Sequence, residues 1–574
     1  MTTLARPTAC SCGLHLFTCT RLLITESANA LRAWVCSLCV LFLFGGAAVL
    51  QAQTPGQQAF WEPDPLADAW VDSVYAGMTE DERLGQLFMV RAHSNLGPEH
   101  QREVEKLIRE EHVGGLLFFQ GSPERQALLT NHYQELSGKV PLMIAMDAEW
   151  GLGMRLKENA ISFPKQLTLG SIEERDLIYE MGAEIGRELR RLGVHINFAP
   201  VADINNNPEN PVINVRSFGE DRYEVTTRSY LYARGMQDQK VLACAKHFPG
   251  HGDTDVDSHL DLPLIPHDRQ RLDSVEMYPF RELCQRQLGS VMIAHLQVPA
   301  LDSTPHLPTT LSPRAVYDIL RKQWKYKGLI ITDGLGMKGV TKYFPSGELE
   351  AMALLAGNDL LLLPEDVPAA KAAIRRYLAE GKLSPERIEE SVRRILRLKY
   401  WLGLQHYKPI DLGRLRSELN NPRAQALKRQ LYQHALCWVN DRDNALPFRK
   451  IDGIKTASLS IGASVRTPFQ QRIHSYIDTD DFLLPADISS SRAKRYLRML
   501  KPYRRVIVGL HGLNPYAAKG FGLKPSAVDF LKKLLAQNKQ VVLVVFGTPY
   551  VLASFEDFPY LLLAHEGDPF AQDV

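Results

Sequence analysis

The chain has 574 residues, a formal net charge of +2 and a hydrophobic content of 45%. This length favours two to four domains with sizeable cores, and the near-neutral charge gives no reason to expect nucleic acid as a partner. The sequence also lacks the long acidic or basic tails that mark electrostatic interaction segments.

Residues 1–52 differ in composition from the rest of the chain. A lead with several arginines and one acid precedes an apolar run from Ala33 to Leu50, and the small residue Ala52 follows. This order predicts a cleaved signal peptide and export to the periplasm or the extracellular space. An uncleaved membrane anchor is the alternative, because about 18 apolar residues could just span a bilayer. If the leader is cleaved, we expect no stable membrane insertion.

The cysteines do not predict a disulfide-stabilised protein. Five of the eight lie in the leader, so a mature chain would keep Cys244, Cys284 and Cys437. Three widely spaced cysteines do not make a disulfide framework. Stability is therefore expected to come from the core, and the prediction of export depends on the leader alone.

Residues 64–405 alternate short apolar runs with longer amphipathic stretches. Continuous apolar runs separated by helical segments are typical of parallel strands that are covered on both faces. Eight such units predict an α/β fold of the (β/α)₈ TIM-barrel type, with a doubly wound open sheet as the alternative. The predicted strands are Gln86–Val90, Val113–Phe119, Pro141–Asp147, Ile196–Asp203, Val241–His247, Ser290–His295, Gly328–Asp333 and Asn358–Leu363.

The end of the barrel domain has a clear helix signal. Ser384 supplies an N-cap, Pro385 occupies the first helical position, and an apolar repeat at helical spacing runs through Ile388–Leu402. Gly403 then stops the helix. This is the predicted last helix of the barrel.

A second α/β pattern follows a polar connector at 406–434. Residues 435–574 are predicted to form a smaller α/β sandwich domain, with a helix over Ser526–Gln537. With only about four strands, this domain is expected to be incomplete and the sequence truncated. Its predicted strands are Ala457–Ile461, Arg505–Leu510, Gln540–Phe546 and Tyr560–Ala564.

Five of the predicted barrel strands end in polar residues. Active sites of such barrels lie at the carboxyl ends of the strands, and many charged groups around one mouth suit a polyhydroxylated ligand. A structural role, in closing a loop or capping a helix, stays open for Asp203 and His295. The polar strand ends are Asp147, Asp203, Lys246–His247, His295 and Asp333.

The segment Lys246–His259 is the densest group of chemically active residues, and three interpretations compete. A calcium loop would need glycine and glutamate where Ser258 and Leu264 stand. A zinc site could use three histidines of the segment, but they lack a helical frame. Acid–base chemistry is favoured, since a turn can bring the Asp257 carboxylate onto the imidazole of His259. The glycines of the segment also suit a loop that closes on substrate.

These residues carry a resemblance to a known family. The run Lys246-His-Phe-Pro-Gly-His-Gly followed by Asp257-Ser-His resembles the signature of the β-N-acetylglucosaminidase (β-N-acetylhexosaminidase) subgroup of glycoside hydrolase family 3. The resemblance covers about residues 75–405. Trp150 stands where the family usually has glycine and could narrow the sugar pocket. Further similar segments are Asp147-Ala-Glu-Trp-Gly with Arg155, Asn197–Asp203, Arg216–Gly219, Ile331–Met337 and Ala356–Pro364.

The resemblance implies roles for individual residues. Asp333 would be the nucleophile of a retaining reaction that passes through a covalent glycosyl-enzyme. His259 would be the general acid and base, assisted by Asp257, and Glu149 is the next candidate proton donor. No metal and no organic cofactor are implied. The residues expected to bind the sugar are Asp147, Arg155, Arg216, Lys246 and His247.

The implied activity is removal of terminal, non-reducing β-linked N-acetylglucosamine, so the expected partner is a carbohydrate. Peptidoglycan fragments and chitooligosaccharides both end in this sugar. A family 3 β-glucosidase or β-xylosidase, an N-acetylglucosaminide phosphorylase and a non-catalytic sugar-binding protein are the alternatives. In the phosphorylase, a histidine in place of an acidic residue would repel phosphate less.

Overall fold

The structure is a computed structural model, and it describes residues 58–257, 261–537 and 540–574. The predicted leader at 1–52 and the predicted acid–base residue His259 lie outside the described residues.

Eight parallel strands form the first sheet, in the spatial order β7-β6-β5-β4-β3-β2-β1-β8. The backbone N–H of Thr332 in β7 donates to the carbonyl of Leu360 beside β8 at 3.1 Å, which joins the two ends of the sheet. The predicted (β/α)₈ barrel is therefore confirmed. The strands are β1 (Phe88–Ala92), β2 (Gly115–Phe118), β3 (Met143–Met146), β4 (Ile196–Asn197), β5 (Leu242–Phe248), β6 (Ser290–Ile293), β7 (Leu329–Thr332) and β8 (Leu361–Leu362).

Strand β4 is much shorter than the predicted run Ile196–Asp203. Pro200 has no N–H to donate to a neighbouring strand, so the regular ladder stops before it. The chain nevertheless continues alongside β5, where Ala202 N donates to the Lys246 carbonyl at 2.8 Å. This extension brings Asp203 to the carboxyl end of the barrel.

Helices cover the outside of the barrel. The Ser384 side chain accepts a hydrogen bond from Arg387 N and caps the helix Pro385–Trp401, as its sequence predicts. A π-helix spans Arg314–Gln323. The α-helices of this part are Pro65–Ala76, Glu80–Gly85, Pro98–Glu111, Pro123–Leu136, Gln166–Leu169, Asp176–Arg191, Arg222–Asp238, Arg269–Ser274, Tyr278–Gln285, Lys338–Thr341, Glu348–Ala356, Val367–Ala379 and Pro385–Trp401.

The predicted connector at 406–434 contains two helices, Leu415–Leu419 and Pro422–His434. Leu427 and Leu431, one helical turn apart, are both buried on the second of these helices. The segment therefore packs against its surroundings through an apolar face.

The second domain contains a sheet of six strands, in the order β11-β10-β12-β13-β14-β9. The sequence predicted about four; it missed β9 and β11. Strand β9 pairs antiparallel with β14, and all other pairs are parallel. The strands are β9 (Cys437–Asp441), β10 (Thr456–Ile461), β11 (Thr479–Leu484), β12 (Arg505–Leu510), β13 (Gln540–Val545) and β14 (Tyr560–Leu563).

Helices lie along this second sheet, and its apolar core includes residues from strands and helices alike. In the described part of the chain, no helix combines the length and the apolarity that crossing a membrane requires. The α-helices packed in this domain are Pro468–His474, Ser490–Leu500, Pro525–Leu535 and Pro569–Asp573.

The carboxyl ends of β12, β13 and β14 face the barrel. Asn214 donates from Nδ2 to the carbonyl of Pro515 at 2.6 Å, in the loop after β12. Thr168 donates to Glu566 Oε1 at 2.6 Å, in the loop after β14. Hydrogen bonds from two separate barrel segments therefore fix this edge of the second sheet against the barrel.

Candidate active site

A cavity of about 420 Å³ opens at the carboxyl ends of the barrel strands. Its walls combine charged groups with apolar side chains, among them Phe119 and Met337. The structure brings six of the predicted site residues to this one cavity: Asp147, Arg155, Arg216, Lys246, His247 and Asp333.

Asp147, just beyond β3, is held by two cations. Lys246 Nζ donates to its Oδ1 at 2.8 Å, and Arg155 Nη2 donates to its Oδ2 at 2.6 Å. Burial alone would raise the pKa of this carboxyl, but the two cations hold it below its ordinary value. Both oxygens of Asp147 are thus ionised acceptors with fixed directions.

Glu149 lies at the centre of a second set of ion pairs, and these pairs were not predicted from the sequence. Arg216 clamps its carboxylate through two hydrogen bonds, at 2.9 and 2.7 Å, and Lys246 Nζ lies 2.9 Å from Oε1. Burial opposes ionisation, yet these cations hold the pKa of Glu149 far below its ordinary value. Glu149 is therefore a buried carboxylate without a proton to donate, which speaks against it as the alternative general acid.

Lys246 bridges the two carboxylates Asp147 and Glu149 from the end of β5. Its side chain is almost fully buried, and the two anions raise its pKa although burial would lower it. A buried charge is tolerable only when it is paired in this way. The consequence is a rigid array of alternating charges along one wall of the cavity.

Asp203 does not line the cavity but lies fully buried behind His247. His247 Nδ1 donates to Asp203 Oδ2 at 2.7 Å, and His251 N donates to Oδ1, also at 2.7 Å. Burial raises the pKa of this carboxyl, and His247 together with His251 lowers it below its ordinary value. Asp203 therefore orients the residues that follow β5.

Asp333 follows β7 and reaches the cavity floor. Burial raises its pKa, but His247, His295 and the N–H of Gly334 hold the pKa below the ordinary value. The Gly334 N–H donates to Asp333 Oδ1 at 2.8 Å. The side chain is therefore an anion at neutral pH.

His295 occupies a position behind Asp333. Its Nε2 donates to the carbonyl of Gly334 at 3.0 Å, and its Nδ1 shares a hydrogen bond with Thr310 Oγ1 at 2.7 Å. The side chain is completely buried. The His295 ring thus stabilises the backbone turn that carries Asp333 and lies behind the residues that line the cavity.

The segment after β5 is packed closely against the barrel mouth at its beginning. Asn210 donates from Nδ2 to the carbonyls of His251 and Gly252, both at 2.9 Å. A Cβ on Gly252 would meet the Ile204 carbonyl oxygen at 1.7 Å, so only glycine fits there. Asp257 is half-buried further along the segment. Its geometry toward His259 falls outside the described residues.

Trp150 points away from this cavity. It lines a neighbouring cleft with Val215, whereas Glu149 and Arg216, the adjacent residues in the chain, line the cavity itself. The expectation that Trp150 narrows the sugar pocket is therefore not met, because consecutive residues of this segment face opposite sides.

The fold and this cavity define a class of protein: a (β/α)₈ barrel with an anionic side chain amid paired charges at its mouth. The chain matches the model of the glycosyl hydrolase family 3 N-terminal domain over residues 79–398. The chain belongs to glycosyl hydrolase family 3.

Individual relatives agree with this placement. Beta-hexosaminidase A of Pseudoalteromonas piscicida is 34% identical in an alignment of 378 positions that covers 60% of this chain and 62% of the relative. The chain thus spans less than two thirds of that protein's length. A beta-N-acetylglucosaminidase/beta-glucosidase of Cellulomonas fimi is 29% identical over 67% of this chain and 68% of its own length.

A solved structure is similar over most of both chains. The family 3 beta-N-acetylglucosaminidase from Paenibacillus sp. str. FPU-7 superposes with a TM-score of 0.71 at 30% identity, covering 87% of this chain and 95% of that chain. The two-domain arrangement is thus common to both proteins.

Proposed function

We propose that the protein hydrolyses terminal, non-reducing β-linked N-acetylglucosamine with retention of configuration. The observation that carries the proposal is the cavity in which the ionised Asp333 shares one space with the ion-paired Asp147, Arg155 and Lys246. An anion is needed where positive charge develops at the anomeric carbon, and directed polar groups are needed to hold the sugar hydroxyls.

In this proposal Asp333 attacks the anomeric carbon and forms a covalent glycosyl-enzyme. His259 donates a proton to the leaving oxygen and then takes one from the water that releases the sugar. Asp257 orients and charges the imidazole. The low pKa of Asp333 supports its part, because a nucleophile must be ionised before it attacks.

The choice of sugar is supported by the similar proteins, which include two beta-N-acetylglucosaminidases and a beta-hexosaminidase. Peptidoglycan fragments and chitooligosaccharides are the proposed natural substrates. Export to the periplasm or the extracellular space is part of the proposal and depends on the leader sequence alone.

The test compares nitrophenyl β-N-acetylglucosaminide with nitrophenyl β-glucoside, with and without phosphate. We expect faster release from the N-acetylglucosaminide, no dependence on phosphate, and first formation of the β-anomer in a proton NMR time course. A preference for the glucoside would assign a β-glucosidase, and formation of sugar 1-phosphate would assign a phosphorylase. No release from either compound would favour a sugar-binding protein.

A further inference from the structure

A second cavity lies between the barrel and the second domain. Its volume is about 460 Å³, within the range of small-molecule pockets. None of the described residues lines both this cleft and the cavity of Asp333. The two share a thin wall, since Glu149 and Arg216 face one side while the adjacent Trp150 and Val215 face the other.

The cleft lies at the carboxyl ends of the parallel strands β12, β13 and β14, beginning one strand away from the point where the strand order reverses. The chain leaves β10 for β11 on one side and then for β12 on the other, so the strand order reverses beside β10. Ligands of open α/β sheets bind outside the carboxyl ends of strands near such a reversal. Loops after three strands line the cleft here, through Leu513–Pro515, Phe546–Pro549 and His565–Asp568.

One hydroxyl in the cleft lining has no partner among the described residues. Thr548 is 4% exposed, and its Oγ1 makes no hydrogen bond to any described group. It stands at the N-cap position of the 3₁₀-helix Pro549–Ser554 without capping it. An unpaired buried hydroxyl is unfavourable, and a hydrogen bond to a ligand oxygen would remove that cost.

The charges in the cleft are already compensated. Lys165 Nζ lies 3.6 Å from Glu566 Oε2, and Lys428 Nζ lies 2.9 Å from Asp568 Oδ2. Burial lowers the pKa of His565 to about 4, so its ring is neutral at pH 7. Among the residues that the structure describes in this cleft, an ionic ligand would find no unpaired counter-charge, whereas a neutral ligand with hydroxyl groups would meet donors and acceptors.

The Trp150 ring supplies an apolar wall beside these polar groups. It is half-buried and lines the cleft, and Lys165 Nζ lies over the ring at 5.9 Å from its centroid. An aromatic face beside hydroxyl and amide groups suits a pyranose ring, which has apolar C–H faces and polar edges.

We infer that this cleft is a second carbohydrate-binding site, which holds a neutral pyranose between the Trp150 ring and the Thr548 hydroxyl. The barrel supplies the aromatic wall and the second domain supplies the hydroxyl. The site thereby gives the second domain a function in ligand binding. The inference concerns binding alone and does not depend on which sugar the cavity of Asp333 hydrolyses.

The test titrates the full-length Asp333→Asn variant with N,N′-diacetylchitobiose in a calorimeter, so that turnover does not obscure binding. We expect two binding events per chain. Adding Trp150→Gly should abolish one of them, and adding Thr548→Val, which keeps the side-chain shape, should weaken the same one about threefold to tenfold. Glucuronate should not compete for this site, because the cleft has no unpaired cation.

A matched control is Tyr476→Ala, which removes an aromatic ring that is 70% exposed on the second domain and outside the cleft lining. Both binding events should survive it. Melting temperatures identify a variant that fails to fold, in which case Thr548→Val alone decides. A binding isotherm that Trp150→Gly and Thr548→Val both leave unchanged would overturn the inference, whether it shows one event or two. Turnover of nitrophenyl substrates by the unsubstituted protein tests the catalytic proposal separately.

Discussion

Asp203 and His247 are joined by three hydrogen bonds at the mouth of the barrel. The backbone N–H of His247 donates to both carboxylate oxygens at 3.1 Å, and its Nδ1 donates to Oδ2 at 2.7 Å. This fixes the ring with Nε2 on the side of Arg216, whose Nη2 lies 3.5 Å away. Asp203, which lies behind the cavity lining, thus orients His247, which lines the cavity.

Replacing Asp203 by asparagine should therefore change substrate binding. We expect Asp203→Asn to raise KM by about tenfold with a smaller effect on kcat, because the His247 ring loses its orienting anion. The measurement is steady-state kinetics on a nitrophenyl glycoside. Asp359→Asn is the matched control, since Asp359 is equally buried and paired with Arg321 and Arg394, away from the cavity. Equal KM shifts in both variants would show that Asp203 has only a structural role.

The proposed nucleophile permits a second prediction. Asp333→Asn keeps the side-chain shape but removes the anion, so turnover should fall at least about 10³-fold, on the order of 4 kcal/mol in the barrier. Single-turnover and steady-state rates measure this loss, and the melting temperature shows whether the fold is intact. A variant that keeps a tenth of the rate would contradict the assignment.

The third prediction separates acid catalysis from binding at His259. A dinitrophenolate departs almost unaided, while a sugar alkoxide must be protonated as it leaves. His259→Ala should therefore cripple hydrolysis of disaccharides by about 10²–10⁴-fold yet spare the first release of dinitrophenol, which gives a burst. Asp257→Ala should behave in the same way but more mildly. Equal losses for both leaving groups in the first step would assign His259 to binding.

Glu149 provides a fourth test, because its carboxylate is locked by Arg216 and Lys246. Glu149→Gln should raise KM and lower stability, since Arg216 and the buried Lys246 lose an anionic partner. The apparent pKa values of the kcat profile should stay unchanged, because Glu149 carries no proton at neutral pH. A shift of the basic limb of the kcat profile in this variant would indicate that Glu149 acts as a proton donor.

The fifth prediction concerns Lys399, which is fully buried in the last barrel helix and donates to Gln86 Oε1 at 2.6 Å. Burial lowers the pKa of Lys399 to about 7, from an ordinary value of about 10.4. Between these values the unfolded chain binds the extra proton. The free energy of unfolding should therefore rise with pH across this window, by at most about 1.4 kcal/mol per pH unit.

Lys399→Met should flatten that rise and stabilise the protein at pH 7, as measured by urea unfolding at several pH values. Lys371→Met is the control, because buried Lys371 is paired with Asp81 and Glu111, and its loss removes a cation from both carboxylates. That variant should be less stable throughout. An unchanged slope in Lys399→Met would contradict the expectation.

The barrel was predictable because its strands are continuous apolar runs that end in polar residues. Strand β4 was predicted too long, since an apolar run does not reveal that Pro200 interrupts the ladder. In the second domain β9 and β11 were missed for a different reason. Strand β11 contains the adjacent acids Asp480 and Asp481, both exposed, and β9 has only three apolar residues before Asn440 and Asp441. Edge strands of this kind lack the apolar pattern of buried ones.

The polar strand ends predicted where the cavity would lie, because parallel strands bring their carboxyl ends together. The sequence could not show that Glu149 faces the cavity while Trp150 faces the second domain. That division depends on the turn Glu149–Gly151, in which Gly151 has a φ of 90° that disfavours other residues. The sequence could not show which residues Asp203 contacts either, because it lies 44 residues before His247 in the chain.

Strand β9 has a consequence for the order in which the second domain completes its sheet. It is the first strand of that domain in the chain, yet its partner is β14, and Cys437 aligns with Leu563 across the pair. During synthesis from the amino terminus, more than a hundred further residues must be made after Asp441 before β14, the pairing partner of Cys437–Asp441, is available. Contacts between such distant segments form slowly and late. Until β9 pairs with β14, the backbone groups of β9 and of the edge of β14 can pair with other chains.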